Sequence, residues 1–407
     1  MFQDNNFLDN NEQSQQKITE KPQFLRPVKY SNANTSNSSK RALIEETNIQ
    51  RDNLLSSYSR LFELEVNSVL YPSNHKFFYS LPTESETGLV YKYDPHIELD
   101  WMIKKQLPSG HQRDVFLVTS SKDSSERQPL IVKKLLCNSK PKILSTSFKG
   151  FLQEIKVLSS LRHRGIVNLI NYYLSPSDIL LAESFYEGGD LYECTRFNYS
   201  SFSPNFVARI FGEIVQAVAF LHDQLLVHRD LKLENILLTK KYKELKGAED
   251  LKSFRFPLIK VSDFEFSKFV DKENHIVQSE YGSPEYAAPE VYLGIAHDGY
   301  KADCWSLGIL LFAMMEGRLP FDAVPPFEDE PQVRIKRYVQ RLVRLSYSWI
   351  RCKPLEEQEH EVAGCSITRL DTWIEARALV QSLLIHRDSR PYSEELLRNS
   401  WINDNFK

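Results

Sequence analysis

The sequence is poor in cysteine, and the cysteines it has do not form a short pair. Five are spread over 407 residues without a Cys-x-x-Cys spacing, at positions Cys137, Cys194, Cys304, Cys352 and Cys365. An odd number at wide spacing is typical of a reducing compartment and argues against a disulfide framework or a zinc site. We therefore expect these thiols to lie in the core or on the surface.

The sequence also lacks an excess of one charge, a signal peptide and a long apolar run. Lysine and arginine total 51 against 54 aspartate and glutamate, a net charge of −3, which argues against a general nucleic-acid or membrane-surface binder. MFQDNNFLDNN lacks the pattern of a signal peptide, and the most apolar stretch, LGILLFAMM at 307–315, is too short to span a bilayer. We expect a soluble protein of the cytoplasm, with the nucleus as the alternative, that has no nucleic-acid partner and no membrane span.

The first hundred residues divide into two segments. Residues 1–40 are dominated by Asn, Gln, Ser and Lys, a composition that predicts a disordered tail. Residues 41–98 form a mixed, partly ordered extension, in which NLLSSYSRLFELEV at 53–66 has apolar residues at helical spacing. This stretch is interpreted either as a helix that docks a partner or as a transient helix.

After residue 98, periodic segments follow one another. WMIKKQL (101–107), DVFLVTS (114–120) and PLIVKKLL (129–136) predict three strands of an antiparallel meander. FLQEIKVLSSL (151–161) predicts a helix whose inward face carries Phe151, Ile155, Leu158 and Leu161. Glu154 lies at the border of that apolar face, where a carboxylate needs a cationic partner.

A core helix and a polar loop come next. SPNFVARIFGEIVQAVAFL (203–221) has Ser203 as an N-cap and a wide apolar face, which predicts a buried helix. LLVHRDLKLENILL (225–238) then places polar residues between strand-like pairs, and TKKYKELKGAEDLKSF (239–254) is interpreted as a solvated insertion in a hairpin. The stretch IKVSDFEFSK (259–268) closes this region with two carboxylates, Asp263 and Glu265.

Four motifs in this order resemble those of the eukaryotic protein kinase superfamily, serine/threonine-specific. They are HRDLKLEN (228–235), SDF (262–264), SPEYAAPE (283–290) and DCWSLG (303–308). The resemblance covers residues 99–402, and it implies an α+β bilobal fold. Residues 99–186 would form a small antiparallel β lobe with one key helix, and residues 187–402 a larger, mainly helical lobe.

The resemblance implies ATP-dependent phosphoryl transfer to serine or threonine hydroxyls of protein substrates, with Mg²⁺. Asp230 matches the catalytic aspartate that orients the substrate hydroxyl and accepts its proton, and Lys232 would steady the transferred group. Asn235 and Asp263 match the residues that hold the metal ion. Lys232 in this loop is typical of serine/threonine kinases.

The resemblance also implies the nucleotide-binding residues. Lys133 matches the strand lysine that binds the α and β phosphates, with Glu154 as its ion-pair partner. Lys134 is the alternative, but strand alternation points the two lysines to opposite faces. The remaining predicted contacts to the nucleotide are Leu107, Gly110, Val115 and Leu237.

Regulation and substrate choice follow from the same resemblance. Arg229 would meet a phosphate on the activation segment, at Ser279, for which an ordinary exposed serine is the alternative. Asp190 and Glu234 would read an arginine three residues before the target, or serve as solvated surface acids. Ser283 is expected to hydrogen-bond Asp230 and Lys232.

Some matching residues are expected to be structural. Arg390 would pair with Glu290, and Asp303 would support the same lobe. The second His-Arg-Asp triplet, at 386–388, lacks the lysine and asparagine that follow the first. We expect it to be unrelated to catalysis.

The sequence departs from the family's pattern in its phosphate loop and adenine pocket. PSGHQRDV (108–115) keeps only Gly110 of three glycines, with Pro108 and Arg113 at the outer positions, and glycine is what lets a backbone approach phosphate closely. Ile131 replaces a small residue next to the adenine. The residue at the rear of the pocket is Glu183 or Ala182, and the sequence leaves that register open.

Glu265 replaces the glycine that follows Asp263 and Phe264. It is interpreted as a second acid beside the metal, as a residue that stiffens the segment, or as a harmless replacement in solvent. Together with the phosphate loop, it keeps an alternative function open, a weakly active kinase or a pseudokinase-like scaffold.

The segment between Phe321 and Trp373 is longer than the family minimum. It carries a candidate helix lined by Val333, Ile335, Val339, Leu342, Val343 and Leu345. The helix is interpreted as part of an enlarged lobe or as a docking surface, and the N-terminal extension is a second candidate for docking partners.

Overall fold

The described part of the chain comprises residues 83–85, 88–93, 99–107, 113–120, 128–136, 146–174, 178–247, 251–254, 257–278, 282–322, 331–354 and 371–406 in a computed structural model. The disordered tail predicted for 1–40 and the helix predicted within 53–66 lie outside these residues.

A twisted antiparallel sheet forms the N-terminal lobe. Its strands are β1 (Thr83–Ser85), β2 (Gly88–Tyr93), β3 (Leu99–Leu107), β4 (Arg113–Ser120), β5 (Leu130–Leu136), β6 (Leu169–Leu174) and β7 (Asp178–Ser184). The spatial order is β1-β2-β3-β4-β5-β7-β6. The predicted meander of β3, β4 and β5 is confirmed, and β2 extends the pairing into the segment that precedes residue 99.

Strand alternation gives the sheet one apolar face and a second face that combines charged residues with buried apolar ones such as Leu181. The apolar face packs Phe116, Val118, Leu130, Val132, Leu180 and Ala182 into a buried cluster. Neighbouring residues on β5 and β7 point the other way, because successive side chains of a strand alternate between faces. Lys133 and Glu183 therefore share the face opposite this cluster.

Helix α1 (Thr146–Ser160) packs against this lobe through its apolar side. Phe151, Ile155 and Leu158 are fully buried, as the periodicity predicts, although the helix begins at Thr146 rather than Phe151. Glu154 is also fully buried and not at the border of the face. A carboxylate at that depth needs a partner.

The C-terminal lobe is mainly helical. Its helices are α2 (Leu191–Asn198), α3 (Pro204–Asp223), α4 (Tyr242–Gly247), α5 (Pro289–Tyr292), α6 (Gly299–Glu316), α7 (Pro331–Arg344), α8 (Ile374–Leu383), α9 (Ser393–Leu396) and α10 (Ser400–Phe406). Short strand pairs join them: β8 (Leu226–Val227) with β11 (Lys268–Phe269), β9 (Ile236–Leu238) with β10 (Ile259–Val261), and β12 (Ile276–Val277) with β13 (His297–Asp298). The predicted bilobal α+β fold is confirmed.

Helix α3 is the predicted core helix. Ser203 Oγ accepts a hydrogen bond from Phe206 N at 3.2 Å, the expected N-cap. By length and composition α3 is apolar enough to cross a membrane, but 72% of that stretch is buried inside the lobe, which is also what a core helix shows.

The insertion between β9 and β10 is largely exposed to solvent within the described residues, as predicted, but it also makes apolar contacts with the lobe. The ring of Tyr242 lies 5.2 Å from the rings of Phe202 and Phe206, and Leu245 is buried. Helix α4 therefore adds a small apolar contact to the start of α3.

Helix α7 exists as predicted, but only part of its predicted apolar face is covered. Leu342 is buried together with Tyr338, four residues earlier, whereas Val333 and Val343 are 41% and 55% exposed. Tyr338 Oη donates to Pro284 O at 3.2 Å, so α7 packs beside the segment that follows Ser283.

Candidate active site

The loop from His228 to Asn235 is held in place by a buried carboxylate of α6. Asp303 Oδ2 accepts from His228 N at 2.8 Å, and Asp303 Oδ1 accepts from Arg229 N at 2.9 Å. Arg229 has a left-handed φ of 65°, which costs energy in a residue with a Cβ. The two hydrogen bonds to Asp303 thus stabilise this backbone conformation of the loop.

Asp230 lies in this loop with its carboxylate buried and fully engaged. Oδ1 accepts from Ser283 N and Ser283 Oγ, each at 2.9 Å, and Oδ2 accepts from Lys232 Nζ at 2.7 Å and Asn235 Nδ2 at 3.1 Å. Lys232 Nζ also donates to Ser283 Oγ at 3.0 Å. The predicted contacts of Ser283 are present, and they fix the orientation of the Asp230 carboxylate.

Gly282 allows this approach of Ser283. Its φ is 113°, and a Cβ there would lie 2.4 Å from Arg229 O. A larger residue would therefore push Ser283 away from Asp230.

Asn235 and Asp263 provide oxygen donors suited to a hard cation. Asn235 Nδ2 donates to Asp230 O at 2.8 Å, and Asn235 O accepts from Ser262 N at 2.9 Å, which ties the loop to the residue before Asp263. Asp263 Oδ1 is buried and has no hydrogen-bond partner within the described residues. A carboxylate oxygen and an amide oxygen fit Mg²⁺, which prefers oxygen ligands.

The surroundings of Asp263 favour its charged form. Burial alone would raise its pKa, but the cations of Lys133, Arg113 and Lys232 outweigh burial and hold the pKa of the carboxyl below its usual range. Phe264 is fully buried behind it, with its ring 5.0 Å from that of His228. The carboxylate is therefore ready to bind a cation.

Lys133 connects the sheet to α1. Its Nζ lies 2.7 Å from Glu154 Oε1 and 3.1 Å from Glu183 Oε1. Burial lowers the pKa of Lys133, but the two carboxylates outweigh burial and raise it above the usual lysine range. Lys134 faces the other side of the strand and stands opposite Asp114 on β4.

The same contact separates the two residues between which the sequence left the register open. Glu183 reaches Lys133, whereas Ala182 belongs to the apolar cluster on the opposite face. Ile131 is the residue opposite Glu183 in the pairing of β5 with β7. Burial, opposed by Lys133, raises the pKa of Glu183 to about 7.

Arg113 and Glu265, two departures from the kinase pattern, contact each other. Arg113 Nη1 donates to Glu265 Oε1, and Arg113 Nη2 lies 3.8 Å from Asp263 Oδ2. The Glu265 side chain is 10% exposed, so the interpretation that places it in solvent is wrong. The φ angle of Glu265 is not positive, so this position does not require glycine.

The other predicted residues lie as follows. Leu107 pairs with Val115 across β3 and β4, and Leu237 lies on β9. Arg229 Nε donates to Phe266 O at 2.5 Å. Gly110 and Ser279 lie outside the described residues, so the geometry says nothing of them.

The two predicted substrate readers have different surroundings. Asp190 Oδ1 accepts from Glu193 N at 2.7 Å and caps helix α2. Glu234 is exposed beside the catalytic loop. Asp190 thus has a structural contact at the start of α2.

One of the two predicted structural features is a buried ion pair, and the other is an exposed triplet. Arg390 Nη1 lies 2.6 Å from Glu290 Oε1, with the arginine side chain fully buried. In the second His-Arg-Asp triplet, His386 and Asp388 are paired to each other at 3.3 Å and are 70% and 78% exposed. That triplet lies on the surface, away from Asp230.

Sequence reasoning missed two contacts of the site. It did not predict Glu183 as a second partner of Lys133, or Arg113 as the partner of Glu265. The sequence contains one indication of the second contact: two residues of opposite charge, Arg113 and Glu265, replace glycines that the kinase pattern expects.

Comparisons with known proteins agree with this geometry. A model described as the protein kinase domain matches residues 101–402. Serine/threonine-protein kinase ppk27 of Schizosaccharomyces pombe is 44% identical over 331 residues, which cover 81% of this chain and 79% of the relative. Serine/threonine-protein kinase PRR1 of Saccharomyces cerevisiae is 30% identical over 51% of this chain and 43% of that protein, and Lok of Drosophila melanogaster is 28% identical over 84% and 64%.

Proposed function

The chain belongs to the protein kinase family, and from this we infer that it transfers the γ-phosphoryl group of ATP to serine or threonine hydroxyls of proteins. The observation that carries the inference is the pair of Lys133 and Glu154 at 2.7 Å, which joins the sheet to α1. No contact within the described residues favours a scaffold over an enzyme.

The residues divide the reaction between them. Asp230, fixed by Ser283 and Lys232, accepts the proton of the substrate hydroxyl as the hydroxyl oxygen bonds to the γ-phosphorus and the bond from that phosphorus to the ADP oxygen breaks. Lys133 binds nucleotide phosphates, and Lys232 offsets charge on the transferred group. Asn235 and Asp263 would hold Mg²⁺. When bound, the ion would neutralise part of the phosphate charge.

The test is transfer of labelled phosphate from ATP to a generic protein substrate. We expect incorporation onto serine or threonine by the wild-type protein and loss of it in Asp230→Asn, by on the order of 100-fold or more because general-base catalysis contributes that much. Equal incorporation by both proteins would indicate a contaminating kinase and would remove the support for this function.

We further propose a preference for arginine three residues before the target, read by Glu234. The carboxylate is exposed beside the catalytic loop, while Asp190 is engaged as a helix cap. In a peptide library, Glu234→Gln should weaken selection for arginine at that position more than Asp190→Asn does. A library with no arginine preference in the wild type would remove this proposal.

Regulation through Arg229 is a separate proposal. We propose that a phosphate on Ser279 contacts Arg229, whose Nε holds Phe266 O and so lies next to the segment that carries Asp263. Ser279→Ala should lower activity, and phosphatase treatment should lower it in the wild type only. Equal rates for the two untreated proteins would contradict this.

A further inference from the structure

The contact between Arg113 and Glu265 lies next to the predicted metal ligand. Arg113 is the first residue of β4, and Glu265 follows Asp263 by two residues. One guanidinium nitrogen binds Glu265, and another lies 3.8 Å from Asp263 Oδ2. Arg113 is therefore shared between the two carboxylates, an arrangement that suits the planar fork of arginine.

Burial and packing hold Glu265 in this contact. The side chains of Arg113 and Glu265 are 27% and 10% exposed. A Cβ added to Gly150 on α1 would lie 3.1 Å from Glu265 Cβ, so the helix backbone closely approaches the glutamate. Because α1 blocks one side, the carboxylate is directed towards Arg113.

Three carboxylates lie close together beside Arg113, so it matters which of them Arg113 neutralises. Carboxylate oxygens of Glu154, Asp263 and Glu265 lie within 4.8 Å of one another. Glu154 is paired with Lys133, which leaves Arg113 between Asp263 and Glu265. A cation that binds Asp263 must compete with Arg113 for it, since the two carry the same sign of charge.

We propose that Glu265 is a positioning residue that draws Arg113 away from Asp263 and so keeps Asp263 available to the metal ion. The proposal rests on the proposed function, because it concerns the same Asp263. In this account the two replaced glycines form one unit, because Arg113 without Glu265 would pair with Asp263 and block the metal ion.

Two single variants and their combination test whether Glu265 keeps Arg113 away from Asp263. Glu265→Gln weakens the contact that holds Arg113, so Arg113 should pair more fully with Asp263. Arg113→Met removes the competing cation and leaves two carboxylates beside the metal site. Combining both changes removes the competitor from the Glu265→Gln background, so the double variant should recover.

The experiment measures the Mg²⁺ concentration needed for half-maximal binding of a fluorescent ADP analogue. We expect Glu265→Gln to raise that concentration about tenfold, which corresponds to about 1.4 kcal/mol, and Arg113→Met to lower it. The double variant should return to within about threefold of the wild type, since the harmful pairing is gone. Glu394→Gln is the matched control, because its carboxylate is 74% exposed on α9.

The melting temperature of each variant checks that it is folded. A role limited to stability would shift the melting temperatures but leave the Mg²⁺ dependence unchanged. If Glu265→Gln does not fold, Arg113→Met still tests the proposal, because an unchanged or raised Mg²⁺ requirement in that variant contradicts it.

Two negative results are distinguishable. If the wild type binds the analogue but Glu265→Gln leaves the Mg²⁺ requirement unchanged, or the double variant is no better than Glu265→Gln, this inference is wrong and the kinase function stands. If the wild type does not bind the analogue at any Mg²⁺ concentration, the proposed function fails, and this inference fails with it.

Discussion

Lys133 Nζ lies 3.1 Å from Glu183 Oε1, so the lysine that pairs with α1 also binds a carboxylate of β7. Glu183 is 3% exposed, and burial raises its pKa to about 7 although Lys133 opposes that rise. The rear of the predicted nucleotide pocket is thus acidic rather than apolar.

The raised pKa of Glu183 predicts a pH-dependent stability. Since the folded protein keeps a proton on Glu183 that the unfolded chain has released, stability falls as pH rises from the usual glutamate range to about 7. Glu183→Gln removes this loss. Between about pH 5 and pH 8 the variant should gain on the order of 2 kcal/mol relative to the wild type, measured by urea denaturation.

The control for that measurement is Glu394→Gln, which removes an exposed carboxylate from the surface. Its stability should follow the wild type at every pH. A constant difference between Glu183→Gln and the wild type across this range would show that Glu183 ionises normally.

The two neighbouring lysines of β5 should behave differently. Lys133→Met removes the partner of two buried carboxylates, so nucleotide affinity and phosphoryl transfer should fall by on the order of 100-fold. Lys134→Met changes the other face of the strand and should retain most of the activity. Nucleotide titrations of both variants decide the matter, and equal losses would mean that the assignment of Lys133 is wrong.

Arg390 should matter for stability far more than Arg387 does. Arg390→Gln leaves Glu290 buried without its cation, a change that typically costs about 3–5 kcal/mol. Arg387→Gln alters a partly exposed side chain on the surface and should change the free energy of unfolding by less than about 0.5 kcal/mol. Denaturant unfolding of the two variants gives both numbers, and similar values would contradict the structural role of Arg390.

Gly282→Ala should lower activity by displacing Ser283 from Asp230. The new Cβ would lie 2.4 Å from Arg229 O, in a residue whose φ is 113°. Gly189→Ala is the control, because Gly189 also has a positive φ, 71°, but no atom lies within 4 Å of its added Cβ. Turnover should drop clearly more in Gly282→Ala, and an equal drop would mean that backbone strain alone is responsible.

Much of the fold was predictable because local signals agree with one another. The alternation in β3, β4 and β5 and the apolar periodicity of α3 led to the observed elements, with Ser203 at the predicted cap. In α7 the periodicity overstated the buried face, because Val333 and Val343 of that face remain exposed.

The site residues that belong to sequence motifs were predictable, and the contacts between distant segments were not. The loop and strand motifs indicated Asp230, Asn235 and Asp263, which the fold places around one cleft. The contact of Arg113 with Glu265 was not predictable from either motif, since it depends on how closely β4 approaches the segment after Asp263. Local patterns do not contain that distance.

The most direct test of the central claim is a single-turnover measurement with the enzyme in excess over a serine-containing peptide at saturating MgATP. Under these conditions product release does not limit the rate, so the chemical step is observed. The account predicts that the wild type phosphorylates the peptide to completion and that Asp230→Asn is slower by on the order of 100-fold or more. A wild-type protein that binds MgATP but transfers no phosphate would contradict it.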